Sequence, residues 1–106
     1  MICCKRIALV GLALALAVPM IATAQSPGQD VFKAKCAMCH GADGSASSGM
    51  GKSMGLKPLS SPDVQKMSDA DLTALINNGK GKMPAMKGKL TDAQISDVVK
   101  YVKTLK

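Results

Sequence analysis

The sequence is nearly without aromatic residues, glutamate and histidine. Its 106 residues include one Phe, one Tyr, one His and no Trp or Glu. Proteins that bind single-stranded nucleic acid stack bases on aromatic rings, so this composition argues against that class. A chain of this length is expected to form one domain. So small a domain with so few large side chains usually needs a staple or a cofactor to complete its core.

A membrane-spanning hydrophobic run is also missing. The main apolar run, Ile7–Val18, has 12 residues, fewer than the roughly 20 that a spanning helix needs. It follows a short basic start and precedes Ala22-Thr23-Ala24, and together these make the layout of a secretory signal peptide. We therefore predict a signal peptide over residues 1–24 and a mature domain over 25–106, in the periplasm or an equivalent extracytoplasmic space. An uncleaved N-terminal anchor is the alternative.

Acidic residues are half as frequent as basic ones. The 14 Lys and Arg residues against 7 Asp give a net charge of +7. Removal of residues 1–24 would leave 82 residues with 12 basic side chains against the same 7 aspartates, a charge of +5. A basic surface suits nucleic acid, an anionic membrane or an acidic protein patch. Because the export signal argues against nucleic acid, we expect protein partners.

Helical periodicity and capping residues predict an all-α fold without strands. Helices are predicted over Asp30–Cys39, Asp63–Met67 and Ser68–Asn78, and from Thr91 towards the C-terminus. The last is the best specified, because Thr91 and Gln94 form a capping box and apolar residues recur on one face. That face consists of Ile95, Val98, Val99, Val102 and Leu105. Gly41–Ser61 and Gly79–Lys89 are predicted to be loops, and the length of the first suggests that it wraps a cofactor.

The segment Cys36-Ala37-Met38-Cys39-His40 is a C-x-x-C-H motif, the signature of covalent haem attachment. Three residues apart on a helix, the two cysteines share a face. Their sulfurs can therefore bond the two vinyl groups on one side of a porphyrin while His40 binds the iron. A zinc site would need further Cys or His ligands, and a thioredoxin-like pair would sit near a βαβ pattern. A disulfide in so small a loop would constrain little, so the motif predicts one covalent haem c with its iron.

We expect a methionine thioether as the second axial ligand, as in His/Met cytochromes. The candidates are Met50, Met54, Met83 and Met86. Met38 lies inside the attachment motif and cannot reach the opposite face of the haem. Met67 sits beside a predicted helix cap, where core packing is the simpler role. The residues alone leave the choice among the candidates open.

These features resemble the class I cytochromes c, and in particular their small bacterial, c6-like members. Three segments carry the resemblance: Gly28-x-x-x-Phe32-x-x-x-Cys36-x-x-Cys39-His40, Asn78-Gly79-Lys80-Gly81-Lys82-Met83-Pro84-Ala85-Met86 and Val98-Val99-Lys100-Tyr101-Val102. The resemblance implies three main helices around one covalent haem. It assigns iron ligation to His40 and to the methionine before proline, Met83. Met86 stands where the family often has an aromatic residue and is the alternative ligand.

The resemblance also implies particular contacts. The first and last helices should cross, with Gly28 and Phe32 meeting the region of Tyr101. The ligating histidine should donate its other ring N–H to a backbone carbonyl in the first loop, for which Pro58 is a candidate. Lysines flank the predicted methionine ligand, at Lys80, Lys82, Lys87 and Lys89. They form either a solvated loop or a basic rim that steers acidic partners to the haem edge.

Iron with both axial positions filled offers no site for a substrate. We therefore predict a soluble, monomeric electron carrier that exchanges single electrons with redox protein partners by outer-sphere transfer, and neither an enzyme nor a binder of a small-molecule substrate. A haem enzyme or ligand sensor is one alternative, and it would need an open iron site. A cytochrome subunit held in a larger complex is another, and it would expose a large apolar patch. A helical protein without haem is the third.

Overall fold

The structure, a computed structural model, describes residues 10–19 and 26–106. Residues 10–19, inside the predicted signal peptide, have no regular secondary structure, and their large apolar side chains are 78–87% exposed. The predicted cleavage point after Ala24 lies outside the described residues. Within the described ranges, no helix is both long enough and apolar enough to cross a membrane.

Residues 26–106 form helices joined by loops. In chain order these are α1 (Pro27–Lys35), α2 (Ala37–His40), α3 (Gly49–Ser53), α4 (Pro62–Gln65), α5 (Asp69–Asn78) and α6 (Asp92–Lys103). Across the described ranges, strand-like pairing is limited to two isolated bridges, Lys80–Met83 and Lys87–Leu90. The predicted all-α class is therefore confirmed.

The first predicted helix, Asp30–Cys39, is divided in the structure. The helix α1 begins earlier than predicted because Ser26 Oγ accepts the Gln29 N–H at 3.3 Å and Pro27 occupies the first turn, where its missing N–H costs nothing. Cys36 separates the two helices: its φ widens to −115°, although its ψ of −27° stays in the right-handed helical region. The prediction of one continuous helix was therefore wrong, and the attachment motif has a short helix of its own.

The first predicted loop, Gly41–Ser61, contains the helix α3. Ser48 caps it, because its hydroxyl oxygen accepts the Gly51 N–H at 3.0 Å. The same hydroxyl donates to the Cys39 carbonyl at 2.8 Å, which fixes α3 beside α2. Composition concealed this helix, since glycine is a poor helix former and supplies two of its residues.

The two later helices follow their predicted signals. Ser68 caps α5 by accepting the Asp71 N–H at 3.1 Å. Thr91 and Gln94 form the predicted reciprocal capping box at the start of α6, with bonds of 2.9 and 3.1 Å. On the predicted apolar face of α6, Ile95, Val98, Val99 and Val102 are buried and Leu105 is half-buried. The four buried residues belong to the hydrophobic core.

The helices α1 and α6 cross at Gly28. A Cβ atom at this position would overlap the Asp97 carbonyl and lie 3.1 Å from the Tyr101 Cβ, so the crossing requires glycine. One turn further along, the Phe32 and Tyr101 rings pack with centroids 5.2 Å apart. The predicted crossing of the first and last helices is confirmed.

Candidate cofactor site

A cavity of about 580 Å³ opens inside the helices, within the range of about 300–1,000 Å³ that is typical of ligand pockets. Most of its lining is aliphatic or thioether side chain. The lining residues are Phe32, Ala34, Lys35, Cys36, Met38, Cys39, His40, Met54, Leu56, Lys57, Leu59, Val64, Met67, Leu72, Leu75, Ile76, Lys80, Lys82, Met83, Pro84, Met86, Val98 and Val102. The structure therefore brings the attachment motif and the methionine loop to one apolar space, although they are far apart in sequence.

The two motif cysteines line this cavity from either end of one helical turn. The His40 N–H donates to the Cys36 carbonyl at 3.0 Å, and the Cys39 N–H donates to it at 3.3 Å. The Cys36 and Cys39 sulfurs are not bonded to each other, so the disulfide interpretation is not what the structure shows. Burial, with the nearby Cys39, raises the pKa of the Cys36 thiol. The Cys39 thiol donates to the Met50 sulfur at 3.5 Å.

The zinc interpretation also fails on geometry. Across residues 10–19 and 26–106, no group of three or more His, Cys, Asp or Glu side chains could hold a metal ion. Tetrahedral zinc sites need three or four such ligands. The motif cysteines and His40 face an apolar cavity instead, which suits a large planar ligand.

The histidine of the motif is half-buried beneath Phe32, with ring centroids 6.4 Å apart. Burial lowers the pKa of His40, so its ring is held neutral, the form that binds metals. Its Nδ1 atom is buried without a hydrogen-bond partner. The predicted bond to Pro58 is not formed. The Pro58 carbonyl accepts the Ser61 N–H at 3.0 Å and closes a local turn.

The methionines predicted as candidate ligands occupy different environments. Met83 and Met86 both line the cavity; Met83 is half-buried, while Met86 is 9% exposed and belongs to the hydrophobic core. Met54 also lines the cavity, and Met50 is 47% exposed beside the attachment motif. Met67, predicted to be a packing residue, does pack against the core, and it also lines the cavity.

The loop that carries Met83 is tightly constrained. Met83 and Lys80 exchange backbone hydrogen bonds of 2.9 and 3.1 Å. At Gly79 a Cβ atom would lie 2.6 Å from the Met83 carbonyl oxygen, and the residue has φ +72°, so the turn depends on glycine. Further on, the Met86 N–H donates to the Ile76 carbonyl at 2.9 Å and ties the loop to α5. The Met83 side chain is therefore presented from a fixed backbone.

The structure divides the predicted lysine cluster. Lys80 and Lys82 line the cavity, whereas Lys87 and Lys89 are exposed and do not. Two lysines that sequence reasoning missed, at positions 35 and 57, complete a group at the cavity that we call the lysine rim. The lysine rim consists of Lys35, Lys57, Lys80 and Lys82. Position 35 could have been found from its place directly before the first motif cysteine, but nothing in the sequence marked position 57.

Comparisons with known proteins agree with this site. The sequence model of a family described as cytochrome c oxidase, cbb3-type, subunit III, matches residues 23–102. Cytochrome c6 of Bryopsis maxima is 40% identical over 80 residues, which cover 71% of this chain and 84% of that protein. Cytochrome c6 of Nostoc is 37% identical over 100 residues, which cover 89% of this chain and 85% of that protein. The solved c-type cytochrome KustC0563 is 30% identical with a TM-score of 0.68, covering 74% of this chain and 96% of that one.

A haem-attachment motif that opens onto an apolar cavity within a helical fold defines a c-type cytochrome. The chain belongs to the class I cytochrome c family, among its c6-like members. It accordingly carries one covalently bound haem c and serves as an electron carrier. The described residues fit this cofactor in the cavity's volume, in its apolar lining and in the position of Cys36, Cys39 and His40 on that lining.

Proposed function

We propose that the haem is attached through Cys36 and Cys39, that His40 and Met83 ligate its iron, and that the protein is a soluble shuttle for single electrons. The observation that carries this proposal is the shared cavity, which brings the attachment motif and Met83 to one apolar space. The bound haem supplies the one-electron change between ferric and ferrous iron. The protein supplies attachment, ligands and exclusion of water.

Burial favours Met83 over Met86 as the ligand. Met86 belongs to the buried hydrophobic core, whereas Met83 only packs against that core and is half-buried. A side chain that already fills the core would leave a void if it turned towards iron, and such voids are destabilising. The half-buried side chain of Met83, carried on a fixed backbone, could turn towards the iron without leaving such a void.

The lining of the cavity supports electron transfer without catalysis. Apart from His40, the titratable side chains among its described lining residues are the two motif cysteines and the lysine rim. The lining has no carboxylate, arginine or second histidine to serve as a general acid or base at the iron. A His/Met pair also fills both axial positions and raises the reduction potential. Electrons would then pass by outer-sphere transfer at the haem edge.

The lysine rim supports recognition of acidic redox partners. Lys57 pairs with Asp63 at 3.0 Å, and across the described residues this is the sole ion pair. The positive charges of Lys35, Lys80 and Lys82 are therefore not neutralised by a carboxylate within those residues. Uncompensated charge around an electron-transfer site steers oppositely charged proteins and accelerates their encounter.

A permanent subunit of a larger complex is the second candidate, because the matching family model is named for an oxidase subunit. Stable interfaces require sizeable apolar surface. Over residues 26–106, the large hydrophobic side chains that are exposed are those of Met38 and Met50. So small a patch favours a monomeric shuttle that binds its partners transiently.

Export is part of the same proposal. The exposed, irregular backbone of residues 10–19 is compatible with a segment that is not built into the folded domain. Cleavage after Ala24 would release the domain 25–106 into an extracytoplasmic space, where haem attachment would follow. The intact mass of protein purified from an exporting host is expected to equal residues 25–106 plus one haem. A mass that retains residues 1–24 would contradict cleavage.

Optical spectroscopy of the purified holoprotein tests the proposal. We expect sharp low-spin ferrous bands, a weak long-wavelength ferric band from the thioether–iron bond, and slow binding of cyanide or carbon monoxide. A high-spin spectrum that shifts at once on addition of either ligand would mean an open iron site. The protein would then be a ligand sensor or an enzyme.

A further inference from the structure

We propose that Gln65 and Lys103 are positioning residues that hold one wall of the haem cavity closed and so limit access of water and small ligands to the iron. The inference rests on the proposed function in one respect, namely that the cavity holds the haem. The hydrogen bonds of these two side chains, which we call the brace, join segments that are remote in sequence.

Gln65 supplies the centre of the brace. It is the last residue of α4, and its Nε2 donates to the carbonyl oxygens of Leu59 at 2.8 Å and Val102 at 3.0 Å. One amide group therefore joins the end of the first loop to the C-terminal helix α6. Leu59 and Val102 both line the cavity.

Lys103 supplies the other half. Its Nζ donates to the Gln65 carbonyl oxygen at 3.0 Å and also to the Met67 carbonyl oxygen. These bonds are charge-assisted and stronger than those between neutral groups. Because Met67 lines the cavity as well, three of the carbonyls held by the brace belong to lining residues.

The chemistry of the amide fixes its orientation. Oε1 of Gln65 is buried without a hydrogen-bond partner. Turning the amide over would direct this acceptor at two carbonyl oxygens and remove both donations. The brace therefore depends on a donor at Gln65, and neither an aliphatic side chain nor a carboxylate can replace it.

The wall needs such support because its own secondary structure is short. The helix α4 has 4 residues, far below the length at which a helix is stable by itself. Without the brace, the segment from Leu59 to Met67 would be held mainly by its apolar contacts with the core. Opening of that segment would admit water and anions, and a wetter site lowers the potential of a haem.

The test compares holoprotein variants Gln65→Leu and Lys103→Met with the conservative Lys103→Arg. Lys100→Met, an exposed position on the same helix, is the matched control. Loss of two hydrogen bonds is expected to accelerate cyanide binding to the ferric protein by about tenfold and to lower the reduction potential. Lys103→Arg should keep most of the wild-type behaviour, and Lys100→Met should keep all of it.

If the brace had a purely structural role, its loss would lower the melting temperature but leave the rate of cyanide binding and the reduction potential unchanged at temperatures below melting. That result would overturn the proposal. Should Gln65→Leu fail to fold, Lys103→Met carries the test, read by hydrogen exchange at the Leu59 and Met67 amides, which must quicken. If the Leu59 and Met67 amides of Lys103→Met exchanged at the wild-type rate, the brace would be overturned.

A different result bears on the proposed function. If the unmodified protein were high-spin and bound cyanide at once, ligation by Met83 would be overturned instead. The amide exchange of the variants would still decide the brace.

Discussion

Gly28 of α1 lies directly against the backbone carbonyl of Asp97 in α6, with no room between them for a Cβ atom. The substitution Gly28→Ala must push the two helices apart and loosen the contact between Phe32 and Tyr101, one helical turn from the crossing. We expect the free energy of unfolding of the holoprotein to fall by about 2–3 kcal/mol, measured by chemical denaturation.

The control for this substitution is Gly49→Ala in α3, where no heavy atom lies within 4 Å of the added Cβ. Alanine is the better helix former by about 1 kcal/mol, so this variant should be neutral or slightly more stable. Equal losses in the two variants would mean that glycine flexibility, and not the helix crossing, determines stability.

The crossing shows which parts of the fold were accessible from sequence. Cap residues such as Ser68 and Thr91 act on backbone within a few residues, so α5 and α6 could be predicted from local pattern. Gly28 was assigned its partner region through the family resemblance. The helix α3 was missed because glycine, a poor helix former, supplies two of its residues, and because the bond from Ser48 to the Cys39 carbonyl is not a local contact.

The residues of the site also divide into those that the sequence could predict and those that it could not. Cys36, Cys39 and His40 could be predicted as site residues because covalent attachment demands a fixed spacing. Lys57 and Gln65 were not, since each acquires its role from contacts made only in three dimensions. The expected bond from His40 to Pro58 is not formed, since Nδ1 of His40 has no partner and the Pro58 carbonyl accepts the Ser61 N–H in a local turn.

Replacing Met83 and Met86 one at a time distinguishes the methionine that ligates the iron from the one that fills the hydrophobic core. In Met83→Ala the long-wavelength ferric band should disappear and cyanide should bind rapidly, because the thioether that we propose as the iron ligand is lost. Met86→Leu should keep the band, since the two side chains are similar in volume and such core exchanges cost less than about 1.5 kcal/mol. The reverse pattern in ferric absorption spectra would assign the ligand to Met86.

The Asp43 carboxylate gives the first loop a pH dependence. Hydrogen bonds from Ser45, whose N–H lies 3.0 Å from Oδ1, lower the pKa of Asp43. A lowered folded-state pKa means that the unfolded chain takes up the proton first as the pH falls. The stabilisation by Asp43 is therefore full above the ordinary aspartate pKa and is lost as the pH falls through the lowered value.

Denaturation of wild type and Asp43→Ala across this acidic range checks the assignment. Wild type should be the more stable protein at neutral pH, and the difference should shrink as the pH falls below the ordinary aspartate range. Because the side chain is fully exposed, the difference should be small. A gap that stays constant with pH would show that the carboxylate charge is not involved.

Two matched pairs of lysines on one loop distinguish local steering from net charge. Lys80 and Lys82 line the cavity, while Lys87 and Lys89 do not. The double variants Lys80→Gln/Lys82→Gln and Lys87→Gln/Lys89→Gln remove the same charge. With reduced flavodoxin as an acidic one-electron donor, the first pair should slow electron transfer by up to about tenfold at about 0.1 M salt and flatten its dependence on ionic strength. The second pair should have a much smaller effect, since the field of an exposed charge is screened within about 10 Å at 0.1 M salt.

The control uses free reduced riboflavin, which offers no charged protein surface. Its stopped-flow rates should be the same for all variants. Equal slowing by the two pairs would show that overall charge attracts the partner, and the lysine rim would then have no particular role in docking.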